Sequence, residues 1–326
     1  MCTLDAPFFS PTLHSLISMD YRGFGYYWCD IRTSQLSVRR LAVRMKHGKK
    51  FEEAVVVITF PHLLLLLLAA KVNAQKYWFS FGDSYTQTGF ITNGTEPAVG
   101  NPLGNPPYPG YTATGGQNWV DYVTTVDNTS LVLTYNLAYG GATISAELVA
   151  PYEPTVLSLT DQVNEFLDSY AFTREPPWES TNTLFSVWIG INDIGNSYYL
   201  GGDRDADVGA RNFLFVNVPP VDRSPLMLAQ STSAQALEKS VIEGFNSKLT
   251  VRVASLKANH SDVTTWIWDS NAAFTAILDD PTCYGFEDAT TYGDAPDIFW
   301  GNNLHPSSYA HAYFGQDVAT VLGGFI

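Results

Sequence analysis

The chain has 326 residues, 45% of them hydrophobic and 14% aromatic, enough apolar material for one large buried core. Its charge is divided: residues 1–74 carry 9 basic and 5 acidic side chains, whereas residues 75–326 carry 9 and 27. An acidic body of this kind repels polyanions, which argues against nucleic acid and anionic membrane as partners and suits a soluble protein.

The first segment reads as a targeting region. Leu63 to Leu68 with Ala69-Ala70 forms an apolar h-region, and Val72-Asn73-Ala74 is a small-x-small cleavage pattern before Gln75. A membrane span is the rival reading. The apolar run from Ala54 to Ala70 is interrupted by Pro61 and His62 and falls short of the ~20 residues a span needs, so no stable membrane association is expected. Met45, Lys46, Lys49 and Lys50 supply a basic n-region. The expected organisation is therefore an unstructured leader or gene-model extension over 1–44, a signal peptide over 45–74, and one secreted domain over 75–326. Sequons at Asn93, Asn128 and Asn259 fit an extracellular glycoprotein. Cys2 and Cys29 lie upstream of the cut, and Cys283 is expected as a buried or idle thiol.

From Gln75 onward, strands alternate with helices. Strands are predicted over Tyr77 to Gly82, Leu131 to Ala138, Leu184 to Ile189, Phe213 to Val218 and Val263 to Trp268, each rich in β-branched or aromatic residues. Leu237, Val241, Phe245, Leu249, Val253 and Leu256 recur at three or four residues and predict a helix over Ser233 to Ala258. Shorter helices are predicted at Leu159 to Ser169, Asn271 to Leu278 and Tyr309 to Leu322. Such alternation implies an α/β fold: a mostly parallel five-stranded sheet covered on both faces, a three-layer sandwich. Between Asn93 and Gly116 lie five prolines and six glycines without periodicity, either a surface insertion or a wall of a binding site.

Ligands in such folds gather at the carboxyl ends of the strands. Ser84 follows the first strand and Asn136-Leu137-Ala138-Tyr139-Gly140-Gly141-Ala142-Thr143 the second. Gly190-Ile191-Asn192-Asp193 follows the third, and Trp300-Gly301-Asn302-Asn303-Leu304-His305-Pro306 lies near the C-terminus. Serine, a glycine amide, an asparagine amide and a histidine are the parts for acyl transfer: nucleophile, oxyanion donors and base. Singly, each has a plainer reading. A serine after a strand is an ordinary helix N-cap, paired glycines make a tight turn, and Asn-Asp is a common cap. An N-terminal helix position would still aim the Ser84 amide and a helix dipole at an oxyanion.

In their order, FGDS, NLAYGGAT, GIND and NNLHP resemble the blocks of GDSL-type SGNH hydrolases, over about residues 77 to 322. The resemblance implies the flavodoxin-like fold of that family. It assigns the nucleophile to Ser84, the base to His305, and the oxyanion hole to Ser84, Gly141 and Asn192. One departure stands out: the family usually carries aspartate three residues before the histidine, where this chain has Asn302. Asn302 or a backbone carbonyl can orient His305, Asp297 can take the role, or the enzyme is weak. The run IFWGNNLHPSSYAH with DPTCYGF upstream is most similar to secreted fungal acetylesterases of carbohydrate esterase family 16. That resemblance implies removal of acetyl groups from hemicellulose-derived, xylan-type oligosaccharides, with no metal or cofactor required.

The ordinary charge state of His305 predicts activity rising through about pH 6–7. Tyr85, Tyr139, Trp188 and Trp300 are candidates for stacking on sugar rings, the two tryptophans foremost. Two other readings remain open. One is a secreted GDSL lipase or phospholipase acting on longer acyl chains; the other is a carbohydrate-binding homologue that has lost its activity.

Overall fold

The computed structural model describes residues 75–173, 176–197 and 212–326, together with three backbone strands upstream. The chain divides into two compact units, Met1–Asn73 and Ala74–Ile326. In the first, β1 (Tyr26–Trp28), β2 (Arg39–His47) and β3 (Lys50–Ile58) pair antiparallel in that order. The leader and signal segment expected over 1–74 otherwise lie outside the described residues. The division between units falls one residue from the expected junction after Ala74.

The second unit is built on β4 (Lys76–Gly82), β5 (Val132–Asn136), β6 (Thr183–Trp188), β7 (Asn212–Val216) and β8 (Thr264–Trp268). All pairings are parallel, in the order β5-β4-β6-β7-β8. The expected five-stranded α/β sheet is present, and each strand end lies within two residues of its predicted position. Because β5 lies on one side of β4 and β6 on the other, the chain reverses its winding at β4. The crevice outside the carboxyl end of β4 is therefore the topological switch point, where such sheets bind ligands.

Side-chain alternation in β4 explains why both faces of the sheet are covered. Tyr77, Phe79 and Phe81 enter one apolar cluster with Leu133, Tyr135, Phe166 and Phe185. Trp78 enters the other, with Trp119, Trp188 and Trp268. With period-two geometry, a strand apolar at both parities has no face left for solvent. Ser80 is the polar exception. Its hydroxyl accepts from Ser186 at 3.0 Å, and Ser186 in turn accepts from the Trp78 indole at 2.7 Å.

The helices are α1 (Trp119–Thr125), α2 (Leu159–Phe166), α3 (Ile191–Ser197), α4 (Pro225–Leu228), α5 (Thr232–Asn259), α6 (Ser270–Asp279) and α7 (Ser308–Leu322). A π-helical turn, Leu167–Ala171, continues α2. Asn118 with Asp121 and Ser158 with Asp161 form capping boxes that start α1 and α2. Sequence periodicity missed α1, α3 and α4 because each is too short to show a repeat. In α5 the predicted stripe is correct from Val241 onward but not at its start. Leu237 is 45% exposed, and Glu238, beside it, is buried instead.

The proline- and glycine-rich segment from Asn93 to Gly116 forms no helix or strand; its one backbone bridge pairs Ala98 with Asn101. Asn105 ties it together, donating to the Ile91 and Thr95 carbonyls. Cys283, expected as a buried or idle thiol, is half-buried and is disulfide-bonded rather than free. No helix among the described residues is long and apolar enough to cross a membrane.

Candidate active site

The end of β4 turns sharply because Gly82 can adopt φ +156°, which an L side chain rarely does. A Cβ at Gly82 would also lie 2.5 Å from the Trp188 carbonyl oxygen on the neighbouring strand. Beyond Gly82, the Asp83 carbonyl accepts from the amides of Thr86 and Gln87, both at 3.0 Å, so residues 84–86 form a turn. The expected helix at Ser84 is absent, because these bonds close a short turn and the chain then continues irregularly. No helix dipole points at Ser84; its own amide remains available, without a hydrogen bond among the described residues.

Three buried side-chain amides hold that turn. Gln162 pairs with both backbone groups of Gly82, accepting from its amide and donating to its carbonyl, each at 2.9 Å. Asn136 donates to the Thr86 carbonyl at 2.7 Å. Asn118 donates to the carbonyls of Thr86 and Gln87 at 2.8 and 3.0 Å. None was identified from sequence, because a buried amide carries no periodic signal. Asn136, at the end of a predicted strand in the block quoted above, was the most discoverable.

Ser84 Oγ lies 2.7 Å from His305 Nε2, and His305 Nδ1 lies 3.0 Å from Asn302 Oδ1. The Asn302 oxygen also accepts from the amides of Leu304 and His305 at 2.9 and 2.8 Å, while its nitrogen donates to the Ala113 carbonyl at 3.4 Å. Both backbone partners are donors, so the atom facing Nδ1 is the amide oxygen. His305 therefore carries its proton on Nδ1 and presents the Nε2 lone pair to Ser84. The alternative orienting group, Asp297, is exposed, and its carbonyl accepts from Glu287.

This arrangement differs from the serine-protease case, where replacing the triad aspartate by asparagine selects the wrong tautomer and lowers kcat by about 10⁴. Here the tautomer is correct, and what is missing is a negative charge to stabilise imidazolium. Burial holds His305 down at about 4, against an ordinary value near 6.5. The expected activity rise at pH 6–7 accordingly moves down to about pH 4.

The residues expected as oxyanion donors, Gly141 and Asn192, follow β5 and β6, the strands on either side of β4. Gly141 has φ +82°, and a Cβ there would lie 2.3 Å from the Tyr152 ring, so both conformation and space require glycine. Its amide makes no hydrogen bond among the described residues. Asn192, on the first turn of α3, donates one amide hydrogen to the Ala142 carbonyl at 2.9 Å. The second hydrogen remains for a ligand. Asp193 beside it accepts from the Ile144 amide through both oxygens at 3.0 Å, tying the two blocks together.

Two buried groups adjoin the serine. The Tyr85 hydroxyl donates to the Leu304 carbonyl at 2.6 Å, fastening the histidine loop to the serine turn. Burial, aided by the charge of Asp193, raises Asp83 to about 7. Below that pH its carboxyl is neutral and does not oppose an oxyanion next door.

Trp188 and Trp300 do not stack on sugar. Both have 0% exposure within the apolar core, and Trp300 Nε1 donates to the Ala289 carbonyl at 2.9 Å. Large aromatic area is removed from water by the sheet and helices, leaving no face for a ligand. Tyr85 is equally buried, and only Tyr139 of the four is exposed. Of the sequons, Asn93 and Asn259 are exposed. The Asn128 amide nitrogen donates to the Val123 and Thr124 carbonyls at the end of α1, bonds that a glycan would disturb.

Residues 79–318 match the GDSL-like lipase/acylhydrolase family. The chain belongs to that family. This GDSL hydrolase is thus a carboxylic ester hydrolase. It is 42% identical over 272 residues to an acetylesterase of Thermothelomyces thermophilus, covering 77% of this chain and 89% of the relative. It is 33% identical over 147 residues to an acetylesterase of Hypocrea jecorina, covering 42% and 40% of the two chains. Among solved structures, an acetyl xylan esterase of Geobacillus stearothermophilus superposes with a TM-score of 0.45 at 14% identity, covering 77% of this chain and 96% of that one.

Proposed function

We propose that this GDSL hydrolase is a secreted acetylesterase that removes O-acetyl groups from xylan-type oligosaccharides through an acetyl-enzyme. The observation that carries the acetyl specificity is the 42% identity to an acetylesterase across 89% of that relative. The Ser84–His305–Asn302 chain, with contacts of 2.7 and 3.0 Å, supports the mechanism.

Ser84 Oγ attacks the acetyl carbonyl carbon as His305 Nε2 takes the hydroxyl proton. The carbonyl oxygen gains negative charge facing the amides of Ser84 and Gly141 and the Asn192 side chain. Loss of one such donor typically costs ~10²–10³ in rate. The intermediate collapses, the ester C–O bond breaks, and His305 returns the proton to the departing sugar oxygen. Water then attacks the acetyl-enzyme by the same steps, releasing acetate and restoring Ser84.

Acetate release from acetylated xylo-oligosaccharides by wild type and Ser84→Ala tests this. A fall of ~10³-fold or more in the variant is expected, since nucleophile and base act as a unit. Equal release by both overturns the serine mechanism. Preference for long over short nitrophenyl esters would favour a lipase. Sugar binding without hydrolysis in both would favour a carbohydrate-binding homologue.

For secretion, the apolar h-region and the unit boundary beside Ala74 support cleavage before Gln75. Glycans are expected at Asn93 and Asn259 but not at Asn128. N-terminal sequencing of secreted protein checks the cut. A first residue far from Gln75 overturns it.

A further inference from the structure

A cavity of about 720 Å³ lies beside the histidine loop, and its walls include Gly301 and Ser307 at either end of the segment carrying His305. None of Ser84, Gly141, Asn192 or His305 lines it. The size falls within the roughly 300–1,000 Å³ of small-molecule sites. Its larger side chains are Tyr108, Tyr122, Tyr309, Gln117 and Asp294, and the rest of the wall is glycine, proline, threonine and serine. Tyr108 and Tyr309 are 48% and 46% exposed.

The chemistry of this wall selects a ligand class. Among the described residues no aliphatic side chain lines it, so an acyl chain would find no apolar channel there. No lysine or arginine lines it among the described residues, and Asp294 together with the acidic body repels anions. A neutral sugar satisfies both restrictions. Its C–H faces can stack on tyrosine rings, and its hydroxyls can exchange hydrogen bonds with the Asp294 carboxylate, the Ser308 hydroxyl and Gln117, whose amide also donates to the Tyr108 hydroxyl.

The cavity is also joined to the candidate site by covalent and hydrogen-bonded connections. Thr114 on its wall donates to the Pro306 carbonyl at 3.2 Å, and the adjacent Ala113 carbonyl accepts from Asn302 at 3.4 Å. We propose that this tyrosine-lined cavity is a subsite for neutral sugar residues of the substrate chain, distal to the acetylated one. The inference rests on the acetylesterase reading for what is cleaved, but not for what the cavity binds.

Tyr309→Ala and Tyr108→Ala test it. Each is expected to raise KM for acetylated xylo-oligosaccharides by about tenfold, the scale of one lost aromatic contact. Hydrolysis of nitrophenyl acetate, too small to reach the cavity, should be unchanged. Unchanged KM on the oligosaccharide, or an equal loss on both substrates, overturns the subsite. Calorimetric titration with unacetylated xylo-oligosaccharide separates this from the failure of the esterase reading. Binding by wild type that Tyr309→Ala weakens upholds the subsite even in a protein that releases no acetate. Absent binding, or equal binding by the two, rejects it whether or not acetate is released.

Discussion

Ser84 follows a strand flanked on both sides by parallel neighbours, whereas His305 sits in a loop with no strand or helix of its own. The serine turn is held from outside by Gln162, Asn136 and Asn118, which come from three different parts of the chain. In the histidine loop one oxygen, Asn302 Oδ1, accepts from the Leu304 amide, the His305 amide and the imidazole, and Tyr85, Thr114 and Leu226 fasten the loop's carbonyls from outside. Three amides from separate parts of the chain hold the Ser84 turn, while one amide oxygen, that of Asn302, orients the His305 ring. The two halves should therefore fail differently under mutation.

The largest effect is expected on the histidine side. Asn302→Leu removes the oxygen that serves all three donors, so kcat should fall on the order of 10²–10⁴-fold, with the fold retained by circular dichroism. A small change in kcat would mean that the loop orients His305 without Asn302. Gln162→Leu attacks the other half and should act mainly on stability. It strands the buried Gly82 amide at a cost of about 1–3 kcal/mol, while the Gly82 carbonyl keeps its bond from the Tyr139 amide at 3.1 Å. Urea unfolding should show the loss; an unchanged midpoint would refute the supporting role.

Asn302→Asp sharpens the comparison through pH. A carboxylate beside Nδ1–H stabilises imidazolium, so the His305 pKa should rise from about 4 towards its ordinary value. The general base is active when neutral, so the acid limb of the kcat/KM profile should move to higher pH. A limb that stays in place would show that His305 does not set it. The smallest effect is expected from Tyr85→Phe, which removes the hydroxyl bond from the serine turn to the Leu304 carbonyl and leaves the Ser84–His305 contact in place. At about 0.5–1.5 kcal/mol for such a bond, kcat should fall roughly two- to tenfold.

The strands were legible because each is buried on both faces, which leaves a dense apolar run at every position. Long helices were legible from Val241 onward in α5 because a single face meets the sheet. Glu238 broke that pattern: a buried carboxyl cannot be told from an exposed one by spacing, and burial raises it to about 7. Trp188 and Trp300 misled for a related reason. A tryptophan beside a site motif reads the same whether its ring faces a ligand or the core.

The sequence by itself determined the order of strands and helices, the four blocks at their ends, and the asparagine at Asn302, since these are matters of residue type and spacing. Only the tertiary structure decided how Asn302 works. Its role depends on which end of the amide faces His305, and that was set by two backbone donors and by Ala113, 189 residues away in the chain. An asparagine has both a donor and an acceptor end, and nothing local to its letter in the sequence says which one the fold will turn towards the imidazole.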